Sequence, residues 1–240
     1  MKRFAILSFI FICISFSAHS QVLISLLLGD KLNSDKLEFG LIGGFSSANQ
    51  SGLDGSSSLG AFHLGFYFDF ILNDKWVFNP SVNVISASGM EFTNQNPAVT
   101  GINDLDDVLV GADVDLKVEY FQVPLLMKYN ITPGFHLMLG PQLALRHKAA
   151  AYYYYESNGN ELIYKEDVRD SYKRLDAGFT SGAGFKLKPG GMNIGFRYYQ
   201  GLVDVRKDNP GDAQRNRSWY VYCTIPIGRG KAEAKHAVAD

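Results

Sequence analysis

The chain has 240 residues, with 24 acidic and 23 Lys or Arg side chains and a formal charge of −1. Without a basic excess, this balance argues against a nucleic-acid partner. After the leader no run of about 18 apolar residues occurs, which excludes helical membrane spans. Glycine (24), phenylalanine (17) and tyrosine (13) are plentiful, and barrel walls use all three.

Residues 1–20 read as an export leader. Lys2 and Arg3 open it, Phe4 and the following apolar residues up to Phe16 are broken only by Ser8 and Ser15, and Ala18-His19-Ser20 offer small residues before Gln21. The apolar part is shorter than the roughly 20 residues of a spanning helix. Removing the leader leaves Cys223 as the sole cysteine, so no intramolecular disulfide can form. Between Tyr222 and Thr224 it reads as a small strand residue. A periplasmic N-terminal segment, 21–35, follows. Its stretch VLISLLLGDKLN is apolar without alternation, and suits either a short helix at a barrel mouth or a partner contact.

From residue 36 the period becomes two, and eight strands are expected. The first, 36–46, sets Leu37, Phe39, Leu41, Gly43 and Phe45 on one face. The second, 60–72, has the clearest pattern: Phe62, Leu64, Phe66, Phe68, Phe70 and Leu72 against Ala61, His63, Gly65, Tyr67 and Asp69. The third, 76–88, alternates Trp76, Phe78, Pro80, Val82 and Val84 with Asn79, Ser81 and Asn83. The fourth, 117–131, sets Phe121, Val123, Leu125, Met127, Tyr129 and Ile131 against Tyr120, Gln122, Lys128 and Asn130. The fifth starts at Phe135, with Leu137, Leu139, Leu143 and Leu145 opposing His136, Gln142 and Arg146. The sixth (171–187), seventh (192–206) and eighth (217–228) carry Phe179, Phe185, Ile194, Phe196, Trp219, Val221 and Ile225 on their apolar faces.

The connections alternate in length. Asn73-Asp74-Lys75, Thr132-Pro133-Gly134 and Lys188-Pro189-Gly190-Gly191 are tight turns, whereas 47–59, 89–116, 154–170 and 207–216 are long. Outer-membrane barrels have short periplasmic turns and longer extracellular loops. The fold class is therefore all-β, an eight-stranded antiparallel up-and-down transmembrane β-barrel over 36–228. Both termini are expected in the periplasm of a bacterial outer-membrane protein, with a flexible tail at 229–240. A soluble barrel would turn its apolar face inward.

The inward face mixes glycines with a candidate lumen polar network: Glu38, His63, Asp69, Lys128, Arg146, Asp176, Lys186 and Arg197. An eight-stranded barrel is only wide enough to be filled by its own side chains. Opposite charges are therefore expected to meet. A packed polar core, a conduction path and a buried binding site all remain open as their role. No nucleophile elbow, zinc spacing or cofactor motif occurs, so neither an enzyme nor a cofactor is expected. The carboxylates Asp104, Asp106, Asp107, Asp113 and Asp115 suit a solvated acidic loop or a divalent-ion contact to lipopolysaccharide. The run from Tyr152 to Tyr155 suits an interfacial girdle or a contact surface.

Three stretches resemble a known family. Glu119-Tyr120-Phe121-Gln122-Val123-Pro124-Leu125-Leu126-Met127-Lys128-Tyr129 is similar to its P-L-L-x-K-Y strand. Asp176-Ala177-Gly178-Phe179-Thr180-Ser181-Gly182-Ala183-Gly184 resembles its D-x-G-x-x-x-G-x-G strand, and Arg197-Tyr198-Tyr199-Gln200-Gly201-Leu202 its R-Y-x-x-G-L strand. Together they resemble the PorT-like outer-membrane β-barrels of Bacteroidota. The resemblance implies an eight-stranded barrel, and the founding type is tied to protein secretion across the outer membrane. The expected role is structural or interactive, through loops or the periplasmic face. An accessory role in secretion, or a narrow conduit for small apolar solutes, is the alternative. Expected partners are outer-membrane lipid, lipopolysaccharide and a periplasmic or secretion-machinery protein.

Overall fold

A computed structural model describes residues 33–34, 36–52, 56–92, 111–157, 160–187, 191–207 and 212–227. The leader, the carboxylates Asp104, Asp106 and Asp107, and the C-terminal tail lie outside these residues. The strands are β1 (Leu37–Gln50), β2 (Ser56–Ile71), β3 (Trp76–Ile85), β4 (Ala87–Phe92), β5 (Asp113–Asn130), β6 (Phe135–Ser157), β7 (Asn160–Asp167), β8 (Leu175–Lys186), β9 (Asn193–Gly201) and β10 (Asn216–Pro226). Every pairing between them is antiparallel. β3 and β4 are successive pieces of one ring position between β2 and β5, and β7 is a side strand on the far half of β6. That leaves a ring of eight, closed where β1 pairs with β10 from Gly40–Pro226 to Gln50–Asn216.

At one end of the ring the turns are short. Asn73 Oδ1 accepts from the amides of Lys75 (3.0 Å) and Trp76 (2.9 Å), and Thr132 Oγ1 accepts from that of Phe135 (3.0 Å). These side chains replace backbone partners that a tight turn cannot supply. Asn33 seats here too: its Oδ1 accepts from the Phe39 amide at 2.9 Å, and its Nδ2 donates to the Ile227 carbonyl. It therefore bridges the seam between β1 and β10 at its base.

Alternation sorts the residues as expected. On β2, His63, Tyr67 and Asp69 are buried inside the ring, whereas Phe62 and Phe70 are exposed on its outer wall. Phe66 points outward and stacks on Phe39 with ring centroids 5.9 Å apart. On β6 the outward apolar residues run from Phe135 to Leu145. Ten rises of about 3.3 Å each, tilted by about 45°, give a band near 23 Å tall, close to the ~25 Å band of membrane barrels.

Above this band the wall behaves differently. On β5 the outward residues change from Val123 and Phe121 to Glu119 and Lys117, and the inward ones from Lys128 and Gln122 to Val118 and Val114. The flanking strands make the same exchange through bulges. The β2–β3 register slips between Leu64–Ile85 and Gly65–Asn83, leaving Val84 as the extra residue. The β5–β6 register slips between Glu119–Lys148 and Tyr120–Arg146, leaving His147 extra. Because side-chain direction has period two, each insertion moves the following residues to the other face. Met90, Phe92, Val114, Ala151 and Tyr153 thereby meet inside as an apolar cap, adjoined by a second cluster of Val118, Tyr120, Ala149, Tyr172 and Val205.

Several expected boundaries are corrected here. Residues 154–170 are not a plain loop, because β6 runs on to Ser157 and returns as β7. The third strand extends to Phe92 through its bulge, and the fourth starts at Asp113. The seventh ends at Gly201, after which the chain leaves the ring and seats Val205 in the cap. The tyrosine run is not one outward girdle: Tyr153 is buried in the cap and donates to Glu166 Oε2 at 3.0 Å. Phe66→Arg places a cation on the outer face of the band and is expected to destabilise the barrel by about 2–4 kcal/mol. Urea unfolding in lipid vesicles checks this, and wild-type stability would contradict the outward assignment.

Candidate functional site

The inward residues of the eight strands form stacked layers. In the layer nearest the short turns, Lys128 on β5 donates to both Asp69 oxygens on β2 at 2.8 Å. Asn79 on β3 donates to Asp69 Oδ1 at 2.6 Å and accepts from Arg197 on β9 at 3.1 Å. The Arg197 guanidinium lies 4.4 Å from the centroid of the Tyr222 ring, a cation–π distance. Glu38 on β1 accepts from Tyr67 at 2.9 Å and pairs with Lys186 on β8 at 3.5 Å. Five of the eight residues marked from sequence thus share one layer: Glu38, Asp69, Lys128, Lys186 and Arg197. A small cavity of about 140 Å³ opens there, lined by Glu38, Asp69, Lys128, His136, Lys186 and Asn193 among others.

The other three stand apart. His63 sits higher, its ring edge-on to Tyr220 at 5.2 Å. Asp176 accepts from Asn216 Nδ2 at 2.8 Å, in a layer with Tyr120. Arg146 does not join the network: it is only part-buried beside the His147 bulge, and its Nε donates to the Lys173 carbonyl at 3.4 Å. Among the described residues, no three His, Cys, Asp or Glu side chains gather as a metal site.

The decisive geometry is the direction of these contacts. β5 and β10 lie on opposite sides of the ring, yet Gln122 donates to Tyr220 at 3.1 Å and Asn216 to Tyr120 at 3.2 Å. β9 faces β3 across the ring, and Arg197 meets Asn79 directly. Ile42, Tyr67, Leu126, Met138 and Tyr222 pack together from five different strands between these layers. Among the described residues, opposite walls thus touch at successive heights along the ring axis.

The family model described as the outer membrane protein beta-barrel domain matches residues 30–207. The chain belongs to this family. Membership in the outer-membrane barrel family places it in the bacterial outer membrane, and the exposed apolar band is what that location requires. Among solved structures it is similar to Ail, the attachment invasion locus protein of Yersinia pestis, at 13% identity and TM-score 0.42, over 80% of this chain and 99% of that one. It is also similar to Neisserial surface protein A, at 14% identity and TM-score 0.40, over 78% and 96%. OprG from Pseudomonas aeruginosa gives 12%, 0.40, 80% and 96%. Likeness at these values carries no argument about what this barrel does. No curated protein matches the sequence.

In a family barrel of this width, ionisable residues alone do not fill the interior. The cross-ring contacts are made largely by Tyr67, Asn79, Tyr120, Gln122, Asn216, Tyr220 and Tyr222. Their signal is present in the sequence as polar or tyrosine residues at the inward parity. Lys128→Met leaves the Asp69 carboxylate buried with Asn79 and no cation, which should cost about 3–5 kcal/mol. Asp69→Asn combined with Lys128→Met should recover most of that loss. Urea unfolding of the two variants in vesicles checks the pair, and additive losses would rule out a direct pairing.

Proposed function

We propose that this protein is a filled outer-membrane barrel that acts as a structural or interaction component and not as a solute pore. The direct hydrogen bonding of opposite walls carries this reading, because polar side chains that satisfy one another across the bore exclude through-flow. In the proposed topology the short turns and both termini face the periplasm, and the long connections and apolar cap face outward. Asn33 itself is held beside the turns, which favours a periplasmic role at that end of the barrel. The PorT-like stretches favour a secretion-machinery subunit as partner. Their inward residues Gln122, Lys128, Asp176 and Arg197 are buried, which supports recognition through loops or turns rather than through the motif residues.

One observation favours a second reading, a lateral conduit for small apolar solutes. No ladder pair joins Leu59–His63 of β2 to Ser86–Gly89 across the β3–β4 bulge. Planar-bilayer recording and affinity purification from mild-detergent extracts of native outer membrane test these readings together. An electrically silent barrel that co-purifies stoichiometrically with secretion subunits supports the first. A steady single-channel conductance would overturn it. The topology is tested separately, by membrane-impermeant thiol labelling of intact cells in a Cys223→Ala background. Asp104→Cys should label and Asp74→Cys should not, and the reverse pattern would invert the barrel.

A further inference from the structure

A second cleft lies on the outer wall and not in the lumen. It measures about 260 Å³ and is lined by Lys117 and Glu119 of β5, Lys148, Ala149, Ala150 and Tyr152 of β6, Lys165 and Asp167 of β7, and Arg169. The His147 bulge builds it. Without the extra residue, Lys148 would point into the lumen; with it, Lys148 stands opposite Glu119 on the outer face. In register, Ala150 pairs with Lys117 on one side and with Asp167 on the other. A methyl between two long side chains leaves the wall indented there.

The charges within the cleft do not balance. Arg169 and Asp167 neutralise each other at 2.6 Å, and the hydrogen bonds from Arg169 hold the Asp167 carboxyl below the usual range. Among the lining residues three lysines then remain against one carboxylate, with Asp115 of β5 two residues along the strand from Lys117. Glu119 is already shared by Lys148 at 3.4 Å, Lys117 at 3.8 Å and His147 Nε2 at 3.9 Å. Lys165 lies over the Tyr152 ring, 5.4 Å from its centroid. Immediately toward the short turns, Phe121 and Leu145 pair in register and are 42% and 41% exposed at the edge of the apolar band. The cleft therefore sits where hydrocarbon gives way to headgroups. Lysine stems pack along apolar surface while their ammonium groups reach that level, and phosphate oxygens are strong acceptors for them.

We propose that this cleft binds the phosphorylated headgroup of a membrane lipid whose acyl chains lie along the apolar band beneath it. The lysine surplus supplies charge-assisted donors for a phosphate anion, and the Ala150 indentation supplies the room. Phe121 and Leu145 supply the apolar contact that a soluble phosphate lacks. The inference rests on the barrel reading but not on which end faces the periplasm, so the thiol labelling above can fail without affecting it.

The test uses the intact barrel in detergent, with lipid adducts counted by native mass spectrometry. The probes are bisphosphorylated lipid A, the same lipid dephosphorylated, and inorganic phosphate. The folded wild-type barrel should prefer the phosphorylated lipid by about tenfold, the scale of one or two charge-assisted contacts. Lys148→Ala with Lys165→Ala should abolish that preference, and Lys148→Arg with Lys165→Arg should keep it. Inorganic phosphate in excess should leave the lipid bound. Equal binding of the two lipids, or an unchanged preference in the alanine variant, overturns the proposal. Displacement by inorganic phosphate would assign the cleft to a soluble anion and overturn the lipid source.

Discussion

Backbone amides and carbonyls find no partner in hydrocarbon, so a strand crossing the bilayer needs a neighbour on both edges. In this barrel the demand is met at the β1–β10 seam, where the first and last strands pair from Gly40–Pro226 to Gln50–Asn216. Asn33 continues the seam below its last ladder pair, using both ends of its amide. Everything else follows from closing the ring at this width. The strands are pressed together closely enough that a Cβ at Gly140 would lie 2.0 Å from the Leu125 carbonyl oxygen. Glycine is required there because the neighbouring backbone occupies the space.

A ring this narrow has an interior that water cannot fill as a bulk phase, so its polar groups turn mainly to one another. The chain does this with mixed chemistry. Charges are confined mainly to the layer nearest the short turns, where Asp69–Lys128 and Glu38–Lys186 pair opposite signs. Higher up, amides and tyrosines take over, as in Gln122–Tyr220 and Asn216–Tyr120. Neutral groups avoid the desolvation penalty of ions deep within the bore. The result is a set of struts that join opposite walls of the ring.

Much of this was legible in the residues. The alternation of β2 from Phe62 to Phe70 announced both its direction and its faces, and the turn residues Asn73 and Thr132 announced where strands reverse. What escaped was the behaviour of β3–β4 and β6. Val82, Val84, Met90 and Phe92 all share even parity, so the pattern continues smoothly while the chain changes face at the Val84 bulge. An inserted residue that keeps the apolar parity intact leaves no mark on it. On β5 the change could be read, because Val114, Leu116 and Val118 are even-numbered whereas Phe121, Val123 and Leu125 are odd. The cationic cleft was hidden for the same reason, since Lys148 faces outward only through the His147 bulge.

Those face changes share one cause. Within the band the surroundings are lipid, so apolar side chains turn outward and the polar remainder must pack inside. Beyond the band the surroundings are water, and the ordinary preference for apolar residues inside returns. A single strand crossing that boundary must exchange its faces. β5 does so by composition at Tyr120–Phe121, while its neighbours on either side do so by insertion at Val84 and His147. The two bulges lie close to the same height because the boundary they answer to is a plane. Its position is marked on the outside by Phe121 and Leu145 giving way to Glu119 and Lys148, and on the inside by Gln122 giving way to Val118. The cap and the outer cleft are thus two sides of one exchange. Turning Ala149, Ala151 and Tyr153 inward to close the barrel is the same step that turns Lys148 outward toward the headgroups.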